Sequence, residues 1–107
     1  MRKKRQLPIP PIAEESPDAV EVARVWVADG SQHVSLATGL WPDPGAWGLL
    51  LVDLARHIAR AYEQTNGPDS HDALLLIRRA FDAEWDSPTD QPEGRVLVTE
   101  ATRPPRG

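Results

Sequence analysis

Three histidines, His33, His57 and His71, are the residues best suited to metal or proton chemistry in this chain. Zinc catalysis asks for three protein ligands and an open position. Asp53 and His57 stand four residues apart and share a helix face, but no second pair repeats that spacing, and His71 precedes a different helix. An ordinary ion pair across one helical turn accounts for Asp53 and His57 better than a metal does. Nucleophilic catalysis needs an activated group and an orienting base. Ser31, Ser35, Ser70 and Ser87 each have a turn, cap or strand explanation, and none sits in a Gly-x-Ser-x-Gly elbow. The carboxylate pairs Asp82–Glu84 and Asp86–Asp90 fall in polar, wet stretches, where acid strength stays ordinary. Gly45-Ala-Trp-Gly48 lacks both the lysine and the spacing of a phosphate loop. The reading is therefore of no catalytic set, no metal and no cofactor, and it leans away from an enzyme.

The tryptophans are the sharper signal. Trp26, Trp41, Trp47 and Trp85 are many for 107 residues. Tryptophan anchors binding surfaces and also fills small cores. Trp47 and Trp85 fall on helical stripes and are expected in the core. Trp26 has Arg24 and His33 as register neighbours and is expected on an open surface, while Trp41 precedes a helix and reads as a lid or staple.

The elements that must hold these residues follow from local pattern. Residues 1–19 read as a flexible arm: residues 2–5 are basic, and prolines at 8, 10, 11 and 17 favour an extended, polyproline-like path. Asp29-Gly30 is a favoured pair for a two-residue turn with both φ positive. It sets a hairpin in which Trp26 faces His33, Val25 faces Val34 and Arg24 faces Ser35. Period-2 alternation then puts Ala23, Val25, Val27, Val34 and Leu36 on a core face, and Arg24, Trp26, His33 and Ser35 on the other. Asp43 before Pro44 starts a helix running to about Gln64, with Trp47, Leu50, Leu51, Leu54, Ile58, Ala61 and Tyr62 at helical spacing. Asn66-Gly67-Pro68 stops it. A second helix starts at Asp69 or Ser70 and runs to about Trp85, with Leu74, Ile77, Phe81 and Trp85 as its apolar stripe. Residues 95–100 read as a third strand, and 101–107 as a disordered tail.

The order β-β-α-α-β implies an α+β fold in two layers. The hairpin and the C-terminal strand form an antiparallel sheet packed on two helices, a single domain over residues 20–100.

Several of these stretches together resemble a family of small bacterial proteins, the domain of unknown function 5076. They are Asp18 to Gly30, Gln32 to Leu36, Trp41 to Gly48, Asp53 to His57 and Phe81 to Asp90, so the resemblance spans roughly residues 6–92. It implies a small bacterial domain and brings with it no activity, ligand or site.

Composition narrows the function classes. The chain has no cysteine, which excludes disulfides and thiolate sites and suits a reducing cytoplasm. No apolar run approaches the ~20 residues a bilayer needs, and no apolar stretch follows the basic start as a secretory signal requires. The net charge is −4, and outside residues 2–5 only 8 of the 12 basic side chains remain against 16 acidic ones. An acidic body argues against nucleic acid, leaving the basic arm as the one anion-contact alternative. Both helices carry four apolar residues in a row, Leu49-Leu50-Leu51-Val52 and Leu74-Leu75-Leu76-Ile77. Four in a row cannot all face one core at 3.6 residues per turn. The expectation is a non-catalytic interaction or accessory domain. Its binding surface would include Arg24, Trp26, His33 and Trp41, and Leu49, Val52, Leu75 and Leu76 would form an interface with a second copy or another protein. A small-molecule pocket near Trp41 is the alternative.

Overall fold

The computed structural model describes residues 5–89 and 96–100. The order of elements is α1 (Pro11–Glu15), β1 (Ala23–Ala28), β2 (Ser31–Thr38), α2 (Gly45–Gln64), α3 (Ser70–Asp86) and β3 (Val96–Glu100). This is the expected α+β order, with one turn of helix added in the proline-rich arm. Pro11 opens that turn, where its missing amide is not needed, and Pro10 before it keeps the extended backbone expected there (φ −57°, ψ 139°). The basic residues 2–4 and the tail 101–107 lie outside the described residues.

The chain divides into two compact units. The first, Met1–Leu40 with Glu93–Gly107, holds the sheet. Asp29 and Gly30 both take positive φ, 53° and 75°, as the tight turn demands. The β1–β2 register is the one that turn dictates, with Ala23 on Leu36, Val25 on Val34 and Trp26 on His33. The third strand corrects the expectation of a purely antiparallel sheet. β3 lies parallel to β2, with Val34 on Val96 and Leu36 on Val98, so the sheet is mixed in the order β1-β2-β3. One edge of β2 is taken by β1 through the two-residue turn, so β3 takes the other. Its direction depends on the connection, and residues 39–95 far exceed the dozen residues a parallel crossover needs. A five-residue strand carries no mark of direction in its own side chains.

The second unit, Trp41–Pro92, is a helical hairpin. A connection of five residues between α2 and α3 makes the helices antiparallel neighbours. The bend is closely specified. Thr65 donates its hydroxyl to the Ala61 carbonyl at 2.9 Å, Asn66 takes φ 63°, and the Gly67 amide donates to the Tyr62 carbonyl at 2.8 Å. That last bond spans six residues and closes a Schellman motif. A Cβ on Gly67 would sit 2.9 Å from the Tyr62 carbonyl oxygen, so glycine is required by space. α3 then begins with Asp69, whose carboxylate accepts from the Asp72 amide at 2.8 Å. The Glu63 carboxylate also reaches across from α2 and accepts from the Ser70 amide. Two carboxylates thus satisfy free amides at the positive end of α3. α2 begins one residue later than expected, at Gly45 with Pro44 at the cap position, and the Asp43 carboxylate just before it accepts from the Gly45 amide at 2.8 Å.

The seam between the helices is built from small side chains. Ala59 on α2 and Ala73 on α3 are the buried apolar residues among those described, and both lie near the bend. Alanine at a crossing lets the backbones approach, with Ala55 and Ile77 half-buried beside them.

Candidate functional site

The strand register gathers three of the four expected surface residues. Arg24, Trp26 and His33 share one face of the sheet with Ser35 and Leu97, because each is cross-paired or alternate along its strand. Trp26 and His33, with Val34, Ser35, Val96 and Leu97, line a shallow depression of about 320 Å³; Arg24 is not part of its lining. Trp26 is half-buried there. Arg24 is held to Glu21 by an ion pair at 3.0 Å. The opposite face differs from expectation. Val25 and Val27, assigned to the core by alternation, are exposed, Val27 at 78%, and so are Val96 and Val98. Alternation predicts correctly that these residues share a face; it does not say whether anything covers it.

Trp41 belongs to the helical unit, whereas Arg24, Trp26 and His33 belong to the sheet unit. Its ring meets Trp47 edge-on, with centroids 5.3 Å apart at 79°. That contact staples the chain entering α2 to the first turn of the helix, in a favoured aromatic geometry.

Among the described residues, exposed large apolar side chains are numerous in the helical unit. At about 100° per residue, Ala55 and Ala59 point α2 toward α3, while Trp47, Leu50, Leu54, Ile58 and Ala61 sit about a third of a turn away on average. Those are the residues the spacing assigned to the core, yet Leu54 and Ile58 are exposed. The seam instead uses the alanines, which hydrophobic periodicity underweights. Leu49, Val52, Leu75 and Leu76, the expected interface, are all exposed, Leu49 at 72%. Trp85, expected in the core, is 74% exposed. It stacks on Phe81 one turn earlier, with ring centroids 5.6 Å apart and planes 20° from parallel. The apolar pairing was legible in the sequence; its exposure was not.

Glu84 is held below the usual carboxylate range, first by the Thr89 amide at 2.7 Å and then by the Thr89 hydroxyl at 2.8 Å. It lies in solvent and fastens the turn after α3. Asp53 and His57 form no ion pair among the described residues, in contrast to the reading of their spacing; both project from α2 into solvent. Among the described residues, no group of three His, Asp or Glu side chains comes together to hold a metal ion. No helix of these residues is long and apolar enough to cross a membrane.

Comparison with known proteins agrees with the fold. The model of a family described as a domain of unknown function, DUF5076, matches residues 6–89. A solved structure from the photosynthetic bacterium Rhodopseudomonas palustrus CGA009, described as a "putative pyruvate dehydrogenase", is 40% identical and superposes with a TM-score of 0.69. The match covers 96% of this chain and 100% of that one. No curated protein matches the chain.

Proposed function

The chain belongs to the DUF5076 family, and from that premise we propose that it is a non-catalytic interaction domain that works through protein contact at its helical hairpin. The observation that carries this reading is the exposure of Leu49, Val52, Leu75, Leu76, Phe81 and Trp85 on a unit whose own seam buries little more than Ala59 and Ala73. Contiguous apolar surface of several hundred Å² marks an interface on a soluble protein. The sheet face of Arg24, Trp26 and His33 is a second contact surface in this reading, shallow and aromatic as peptide-binding faces are. The domain is assigned to a bacterial cytoplasm, supported by the bacterial relative and by a chain without cysteine. The dehydrogenase description stays with the Rhodopseudomonas protein.

A photoactivatable residue at Leu76, compared with the same residue at Arg60, tests the proposal in the native host. Protein adducts from position 76 well above those from position 60 are expected. Equal, background-level adducts at both positions, from a chain that does not self-associate, would sink the reading.

A further inference from the structure

The exposed Phe81–Trp85 stack lies in the C-terminal half of α3, at the end of the hairpin away from the Thr65–Asp69 bend. Leu49 and Val52, in the N-terminal half of α2, lie at that same open end, because the helices are antiparallel. We propose that this open end is the contact surface for a second copy of the chain, with α3 crossing its counterpart antiparallel near Phe81. The inference rests on the interaction reading above and names its partner.

Two observations favour a second copy over an unrelated protein. The first is charge order along α3. Arg78 and Arg79 precede Phe81, whereas Asp82 and Asp86 follow it. An antiparallel crossing at Phe81 sets the basic side of one copy against the acidic side of the other, twice, by the same two-fold axis. A parallel crossing would set like against like. Arg78 and Asp82 already form an exposed ion pair within the helix at 3.5 Å, so both charges are free to turn outward at little loss. A surface that complements itself in this way needs no other partner to satisfy its charges.

The second observation is area. The exposed parts of Leu49, Val52, Phe81 and Trp85 amount to roughly 450–500 Å² of mostly apolar surface. A standard interface takes about 800 Å² from each partner, of which about two-thirds is apolar in homodimers. The four side chains supply the larger part of that core, and the α3 charges form its rim. An exposed pair of stacked aromatic rings is also the kind of anchor on which hot spots are built.

Sedimentation equilibrium of the full chain, from low micromolar to millimolar, is the test. The wild type is expected to pass from monomer to dimer across that range. Trp85→Ala should raise the dissociation constant at least about 30-fold, with helical circular dichroism unchanged, because the ring is solvent-exposed and contributes little to the monomer. The Arg78→Glu/Arg79→Glu and Asp82→Lys/Asp86→Lys double variants should each dimerise weakly alone and associate with one another when mixed. A chain that stays monomeric throughout, a dimer indifferent to Trp85→Ala, or charge variants that fail to recover on mixing would each overturn the second-copy assignment. The two proposals fail separately. Adducts from position 76 to a different protein, with a monomeric purified chain, overturn the second copy and leave the interaction reading standing. Background-level adducts at position 76 from a chain that also stays monomeric overturn the interaction reading itself.

Discussion

Two glycine-to-alanine substitutions in the helical unit should move stability in opposite directions. Gly67 lies in the bend, and a Cβ there would meet the Tyr62 carbonyl oxygen at 2.9 Å, the Tyr62 Cδ1 at 3.1 Å and its Cβ at 3.3 Å. The nearest of these is backbone, which cannot swing aside as a long side chain would. Relief requires the bend to open, and that lengthens the 2.8 Å bond from the Gly67 amide to the same carbonyl. Overpacking of this kind costs about 1–3 kcal/mol. Gly48, in the first turns of α2, has no atom within 4 Å of a Cβ. Alanine there removes unfolded-state freedom without a clash and should stabilise by about 0.5–1 kcal/mol. Thermal unfolding followed by circular dichroism reads both. A change of 1 kcal/mol shifts the midpoint of a domain this size by about 4–8 °C, so Gly67→Ala should lower it by several degrees and Gly48→Ala should raise it by a few. Equal shifts of the same sign would refute the placement of the bend and of α2.

Other consequences follow from single contacts. Asp69→Ala removes the acceptor for the Asp72 amide and should cost about 0.5–2 kcal/mol in a denaturant titration. Glu84, whose carboxyl is depressed by Thr89, adds stability that is fully present above the ordinary carboxylate range and is lost as pH falls through its lowered value. Thr89→Ala should therefore move the Glu84 titration upward toward an ordinary glutamate, read by carbon-detected NMR; an unmoved titration contradicts the contact. Trp26→Ala empties part of the sheet-face depression. Its half-buried ring should give a loss between the under ~0.5 kcal/mol of a surface site and the ~3–5 kcal/mol of a core tryptophan. A loss at either extreme contradicts its half-buried placement.

The parts of the fold read correctly from the sequence are those fixed by neighbours. Asp29-Gly30 dictated a turn and, through it, every β1–β2 pair. Asn66-Gly67 and Asp69 marked the bend between α2 and α3 to the residue. The parts misread depend on what lies across space. The direction of β3 is a property of a connection more than fifty residues long, and nothing in Val96-Leu97-Val98 records it. Periodicity found the apolar stripe of α2 but assigned it to the core. The helix–helix seam uses Ala59 and Ala73, which a hydrophobicity count hardly notices. The same limit explains Trp85: helical spacing placed it beside Phe81, and only the packed hairpin shows that the pair faces outward. The runs Leu49 to Val52 and Leu74 to Ile77 did signal more apolar surface than one hairpin can cover.

Hydroxyl-radical footprinting of the purified wild-type chain, at low and high protein concentration, tests the central claim most directly. Trp85, Phe81 and Leu49 should lose reactivity as concentration rises, while Leu7 on the arm, 88% exposed, should react equally at both. Unchanged labelling of Trp85 and Phe81 across the range would contradict the account, because the surface said to bind a second copy would then stand uncovered.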